Sequence, residues 1–60
     1  MADTARYKKI DIYDRKTGRY LASTNQAKSP KQARVKYAFA ENTNGRGPVD
    51  WTELRAGYAR

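Results

Sequence analysis

Basic residues set among tyrosines are the groups in this sequence whose types and spacing could do chemistry, and that chemistry is the binding of anions. Lys9, Tyr13, Arg15, Lys16, Arg19 and Tyr20 fall within a short stretch, joined by Tyr7. Cations meet phosphates and tyrosine rings stack on bases or set their orientation, so this mixture is what a nucleic-acid surface needs. A second group, Lys28, Ser29, Lys31 and Arg34, surrounds a helix start and has no acid near it before Glu41. Helix N-termini carry partial positive charge and ordinarily attract Asp or Glu. Cations there give up local stability and build an anion site.

Each feature also has a plainer reading. Tyr13 and Tyr20 could be a cross-strand pair that only stabilises a sheet, or the C-terminal segment and Trp51 could cover that face. A charged hairpin tip at Arg15-Lys16-Thr17 is what a hairpin in water generally shows, and basic residues at a helix start can simply be solvated. The two groups together favour the functional reading.

Catalysis finds little support. The chain has neither histidine nor cysteine, which removes the usual bases, the thiol nucleophile and the commonest transition-metal ligands. Ser23 and Ser29 have structural explanations. Asp11 and Asp14, three apart on a strand, point to opposite faces and cannot easily share a proton or a metal. Asp50 and Glu53 read as a capping box, and no glycine-rich phosphate loop of the Walker or dinucleotide type is present. The chain is expected to be non-enzymatic, with no catalytic residue, metal or cofactor.

The elements that must position these groups follow from periodicity. Residues 7–14 alternate, with Ile10 and Ile12 on one side and Tyr7, Lys9, Asp11 and Tyr13 on the other, as a half-buried strand does. Asp14-Arg15-Lys16-Thr17-Gly18 reads as a tight turn, closed by Gly18 in the left-handed conformation. A second strand spans 19–26. A four-residue loop sets Tyr13 opposite Tyr20, Ile12 opposite Leu21 and Ile10 opposite Ser23. Ser29, Pro30 and Gln32 mark an N-cap, first turn and capping box for a helix over 30–42. Its Val35/Ala38/Phe39 stripe and its Ala33/Tyr37/Ala40 stripe predict a helix sandwiched between the hairpin and the C-terminal segment. Residues 49–58 are divided: Asp50–Leu54 favours a helical turn, while Leu54–Tyr58 could be helix or a short third strand. The fold class is α+β, a small antiparallel hairpin packed through Ile10, Ile12 and Leu21 on one helix.

Sixty residues allow one small domain, read as 6–60 behind a disordered stretch at 1–5. Such a chain buries only about 60% of its unfolded surface, so it stands to gain stability from a partner or from self-association. The formal net charge is +7 and the mean hydropathy −1.08. The excess positive charge lies before residue 41, since Arg46, Arg55 and Arg60 are balanced by Glu41, Asp50 and Glu53. No apolar run reaches signal-peptide or membrane-span length, and the lack of cysteine fits the cytoplasm.

Tyr13-Asp14-Arg15-Lys16-Thr17-Gly18-Arg19-Tyr20, followed by Ser29-Pro30-Lys31-Gln32-Ala33, resembles the N-terminal arm-type DNA-binding domain of phage tyrosine integrases over about residues 13–37. In that family a small sheet lies in a DNA groove with a helix behind it. The resemblance implies Arg15, Lys16, Arg19 and Tyr20 near DNA, and it is the ground for preferring DNA over RNA. The leading expectation is therefore a nucleic-acid-binding module, with phosphates met by the hairpin and the helix start. The alternative is a protein-interaction module, such as a phage- or plasmid-encoded modulator docking on an acidic host protein through its tyrosines and Trp51. A homodimer formed by pairing of edge strands is a third arrangement.

Overall fold

The computed structural model describes residues 7–59; the expected disordered stretch at 1–5 lies outside them. Three strands, β1 (Ile10–Asp14), β2 (Tyr20–Thr24) and β3 (Leu54–Tyr58), form one antiparallel sheet in the order β2-β1-β3. Helix α1 (Pro30–Thr43) connects β2 to the C-terminal part, where a single 3-10 turn, Trp51–Glu53, runs directly into β3. This is the small α+β fold that the hairpin and cap signals specify, with β1 as its central strand. Both strands of the hairpin are shorter than the alternation suggests.

Local chemistry accounts for each boundary. Asp14 Oδ1 accepts from the amides of Lys16 and Thr17 at 2.8 and 3.2 Å, and Gly18 takes a left-handed φ of 76°. The Asp14 amide donates to the Arg19 carbonyl at 2.8 Å, closing the loop. At the start of α1, Ser29 Oγ accepts from the Gln32 amide at 3.2 Å, while Gln32 Oε1 accepts from the Lys28 amide at 2.7 Å. This capping box thus reaches one residue further back than usual. Asp50 caps the 3-10 turn through the Thr52 amide and hydroxyl, at 2.9 and 2.7 Å.

Two sequence expectations are corrected. Tyr13 does face Tyr20, but a bulge follows, so Ile12 lies opposite Ala22 and Ile10 opposite Thr24. The extra residue is Leu21, which packs half-buried at the margin of the core instead of facing Ile12. A bulge admits one unpaired residue without exchanging the two faces of the partner strand, so Ile10 and Ile12 remain fully buried. The helix is also not sandwiched. Because the C-terminal segment joins the same sheet as β3, α1 has one layer to pack on, and it turns its alanines inward. Ala33 and Ala38 join Ile10, Ile12, Ala27 and Leu54 in the core. Val35 and Phe39 face away, Phe39 72% exposed.

Candidate nucleic-acid interface

The packing of α1 on one face leaves the other face of the sheet open among the described residues. Strand alternation places Asp11 and Tyr13 of β1 on that face, and cross-strand pairing adds their neighbours. Tyr13 lies opposite Tyr20 on one side and Arg55 on the other; Asp11 lies opposite Ser23 and Gly57. The exposed Lys9 extends the same side of β1, its carbonyl accepting from the Ala59 amide at 2.9 Å. The resulting surface has a row Tyr20–Tyr13–Arg55 beside a row of short side chains. A shallow depression on this side of the sheet is lined by Asp11, Tyr13, Arg55 and Gly57 together with Gly18, Ala56 and Tyr58. A Cβ built on Gly57 would meet nothing within 4 Å, which confirms that this floor is open. Tyr13 and Tyr20 pack edge to face, with ring centroids 5.8 Å apart at 71°.

The expected binding residues separate into distinct groups. Lys9, Tyr13 and Tyr20 belong to the open face. Arg15, Lys16 and Arg19 form the hairpin tip and are all exposed. The tip is braced by the C-terminal turn: the Arg15 amide donates to the Glu53 carbonyl at 3.1 Å, and Arg15 Nη1 to the Thr52 carbonyl at 3.4 Å. Lys16 Nζ stands 3.8 Å from a Glu53 carboxylate oxygen, with both side chains largely in water. A pair of that length and exposure holds little energy, so Lys16 can turn towards another anion.

The helix-start cations lie in the other layer, and two of them already have an aromatic partner. Lys31 Nζ is 5.6 Å, and the Arg34 guanidinium carbon 5.1 Å, from the Trp51 ring centroid. Arg34 Nη1 also donates to the Leu54 carbonyl at 3.4 Å. Trp51 thus serves the packing of α1 on the C-terminal turn, and it does not cover the tyrosine face. Lys28 and Ser29 are engaged through the capping contacts described above, which leave the Lys28 ammonium exposed.

Arg55 is the binding candidate that reading the sequence missed. Its signal was the alternation Leu54-Arg55-Ala56-Gly57-Tyr58, which as a strand puts Arg55 and Gly57 on one side and Leu54 and Ala56 on the other. Of the other ionisable groups, Glu41 is held below its ordinary value, first by hydrogen bonds from Arg46: Nε reaches Oε1 at 3.0 Å and Nη2 reaches Oε2 at 2.7 Å. Burial raises the Tyr37 phenol, and the Glu41 charge adds to that. Both stand on the helix, away from the open face.

Among the described residues no cluster of three or more acids capable of holding a metal ion occurs, and no helix is long and apolar enough to cross a membrane. No protein-family model, curated protein or solved structure matches the chain, so the open tyrosine-and-arginine face of the sheet rests on its own geometry.

Proposed function

We propose that the chain is a non-catalytic nucleic-acid-binding module that lays the open face of its sheet and its hairpin tip against duplex DNA. The observation that carries this reading is the cross-strand row Tyr20–Tyr13–Arg55, left uncovered by the helix, with Lys9 on the same side of β1 beyond Asp11. Arg15, Lys16 and Arg19 stand beside it at the tip and suit phosphate contact. Lys28, Lys31 and Arg34 sit in the helical layer; they add to the attractive field and can reach phosphates only where the duplex passes the edge of the sheet. The integrase-like order of hairpin and helix favours DNA over RNA. Duplex RNA is also a poor fit to a sheet, because its deep, narrow major groove excludes side chains.

The test is fluorescence anisotropy with a labelled 20-base-pair duplex over a series of salt concentrations. Each phosphate neutralised adds about −0.9 to the slope of log K against log salt. A slope corresponding to several phosphates is expected, and affinity that stays flat between low and physiological salt would overturn the reading.

A second reading has its own observation. Phe39 and Val35 stand one helical turn apart on the outer surface of α1, 72% and 39% exposed, on a chain of net charge +7. An acidic protein with an apolar contact would complement that surface, since aromatic anchors dominate interface energetics. A complex that survives nuclease and is lost in Phe39→Ser would favour it.

A further inference from the structure

The open face carries one group that phosphate binding does not explain. Asp11 lies in the middle of it, on the central strand, with Ser23 and Gly57 as its cross-strand neighbours. A carboxylate there repels phosphate. It is also diagonal to Arg55, which faces Tyr13, the next outward residue of β1. Diagonal neighbours on one face are roughly 7–8 Å apart, within the reach of an arginine, and both residues line the same shallow depression. Even so, Asp11 and Arg55 form no ion pair with each other or with any described residue. Their side chains also enter none of the hydrogen bonds among the described residues. An acceptor and a forked donor are thus presented side by side over an open floor.

We infer that Asp11 and Arg55 make this face a base reader as well as a phosphate binder, selecting G·C pairs through the major groove. The inference rests on the nucleic-acid reading above and deepens it. In the major groove a G·C pair offers guanine O6 and N7 as acceptors and the cytosine N4 amine as a donor. Arginine is the commonest partner of the first set, and a carboxylate accepts from the second. The protein pattern of one acceptor beside one fork complements that edge. At an A·T pair the fork loses its two-acceptor partner, because thymine O4 and adenine N7 flank the adenine N6 donor instead. Short neighbours matter for the same reason: Ser23 and Gly57 leave room for base edges to approach the strand, where larger side chains would hold the duplex away. Tyr13, next to Asp11 on the outer side of β1 and directly opposite Arg55, sets how deeply the duplex sits.

The experiment uses the full chain and three labelled duplexes of equal length: G·C only, A·T only, and one with inosine replacing guanine. Inosine keeps the major-groove atoms of guanine and removes only the minor-groove amine. The G·C duplex is expected to bind about tenfold or more tighter than the A·T duplex, with the inosine duplex equal to G·C. Asp11→Asn should move the preference towards A·T, since an amide pairs with adenine N6 and N7. Arg55→Lys should reduce the preference while leaving the salt slope unchanged, because the charge remains and the fork is lost. Both positions point outward, and circular dichroism verifies that each variant is folded. Salt-dependent binding that ignores base composition, or variants that keep the wild-type preference, overturns this inference and leaves phosphate binding standing. An inosine duplex that behaves like A·T overturns the major-groove assignment. Failure to bind any duplex overturns both readings.

Discussion

The Arg34 guanidinium carbon lies 5.1 Å from the centroid of the Trp51 ring, and the same group donates to the Leu54 carbonyl at 3.4 Å. One side chain therefore joins the first turns of α1 to the segment that leads into β3. A half-buried cation over an indole contributes about 0.5–2 kcal/mol. Arg34→Ala should lower the melting temperature by several degrees, since each kcal/mol shifts a domain of this size by about 4–8 °C. Lys28→Ala, whose side chain makes no described contact, should leave it unchanged. Thermal melts followed by circular dichroism distinguish the two; equal shifts would mean that the Arg34–Trp51 contact holds nothing together.

The bidentate pair between Arg46 and Glu41 ties the loop after α1 back to the helix. Glu41 is depressed from its ordinary value of 4.5, and Asp50 from 3.8, chiefly by the Thr52 hydroxyl and then by the Thr52 amide. A carboxylate whose folded value is depressed contributes stability that is present above the unfolded value and lost as pH falls through the folded one. Stability should therefore fall on acidification below about pH 4.5. Glu41→Gln should be less stable than wild type at neutral pH, with the difference closing through that acid range. A pH series of urea midpoints measures it, and a gap that persists in acid would assign the effect to packing instead of charge.

Asn42 holds the loop to the C-terminal segment by two hydrogen bonds, its Oδ1 accepting from the Val49 amide at 2.7 Å and its Nδ2 donating to the Val49 carbonyl at 3.1 Å. A Cβ on Gly47 would run into Asn42 Oδ1. Asn42→Ala and Gly47→Ala should each cost about 1–2 kcal/mol, and the double variant should cost little more than either alone, because both remove the same clamp. Additive losses in chemical denaturation would show that the two residues act separately.

Charge reversal at Arg55 should weaken DNA binding at least as much as reversal at Lys16. Arg55 is on the open face beside Tyr13, whereas Lys16 is at the tip with Glu53 at 3.8 Å. Judged by composition alone, the last third of the chain is neutral and Arg55 belongs to a structural segment; the strand pairing sets it opposite Tyr13 on the open face. Titrations of Arg55→Glu and Lys16→Glu at one salt concentration decide the matter. Binding that survives in Arg55→Glu would restrict the contact to the hairpin.

The Tyr13–Tyr20 edge-to-face pair contributes about 0.5–1.5 kcal/mol beyond buried area. A double-mutant cycle with Tyr13→Leu and Tyr20→Leu should return a coupling in that range. On the proposed reading Tyr20→Leu should also weaken DNA binding, because that residue is 54% exposed on the open side of the sheet. Loss of coupling without loss of binding would leave the pair a sheet contact only.

Short-range chemistry was enough to specify much of this protein from its sequence. Asp14 and Gly18 determine the hairpin, Ser29-Pro30-Lys31-Gln32 the start of the helix, and Asp50 the C-terminal turn, because capping and left-handed backbone depend on neighbours in the chain. The alternation around Ile10 and Ile12 likewise selects the buried side of β1. Tertiary structure decided what depends on distant partners. A bulge at Leu21 shifted the register beyond Tyr13–Tyr20, since a single inserted residue leaves no signature in a hydrophobic pattern. Residues 54–58 became a strand because β1 had an unpaired edge to offer, which outweighed helical spacing from Trp51 to Tyr58. That choice removed the second layer α1 would have packed against, exposed Val35 and Phe39, and set Arg55 beside Tyr13.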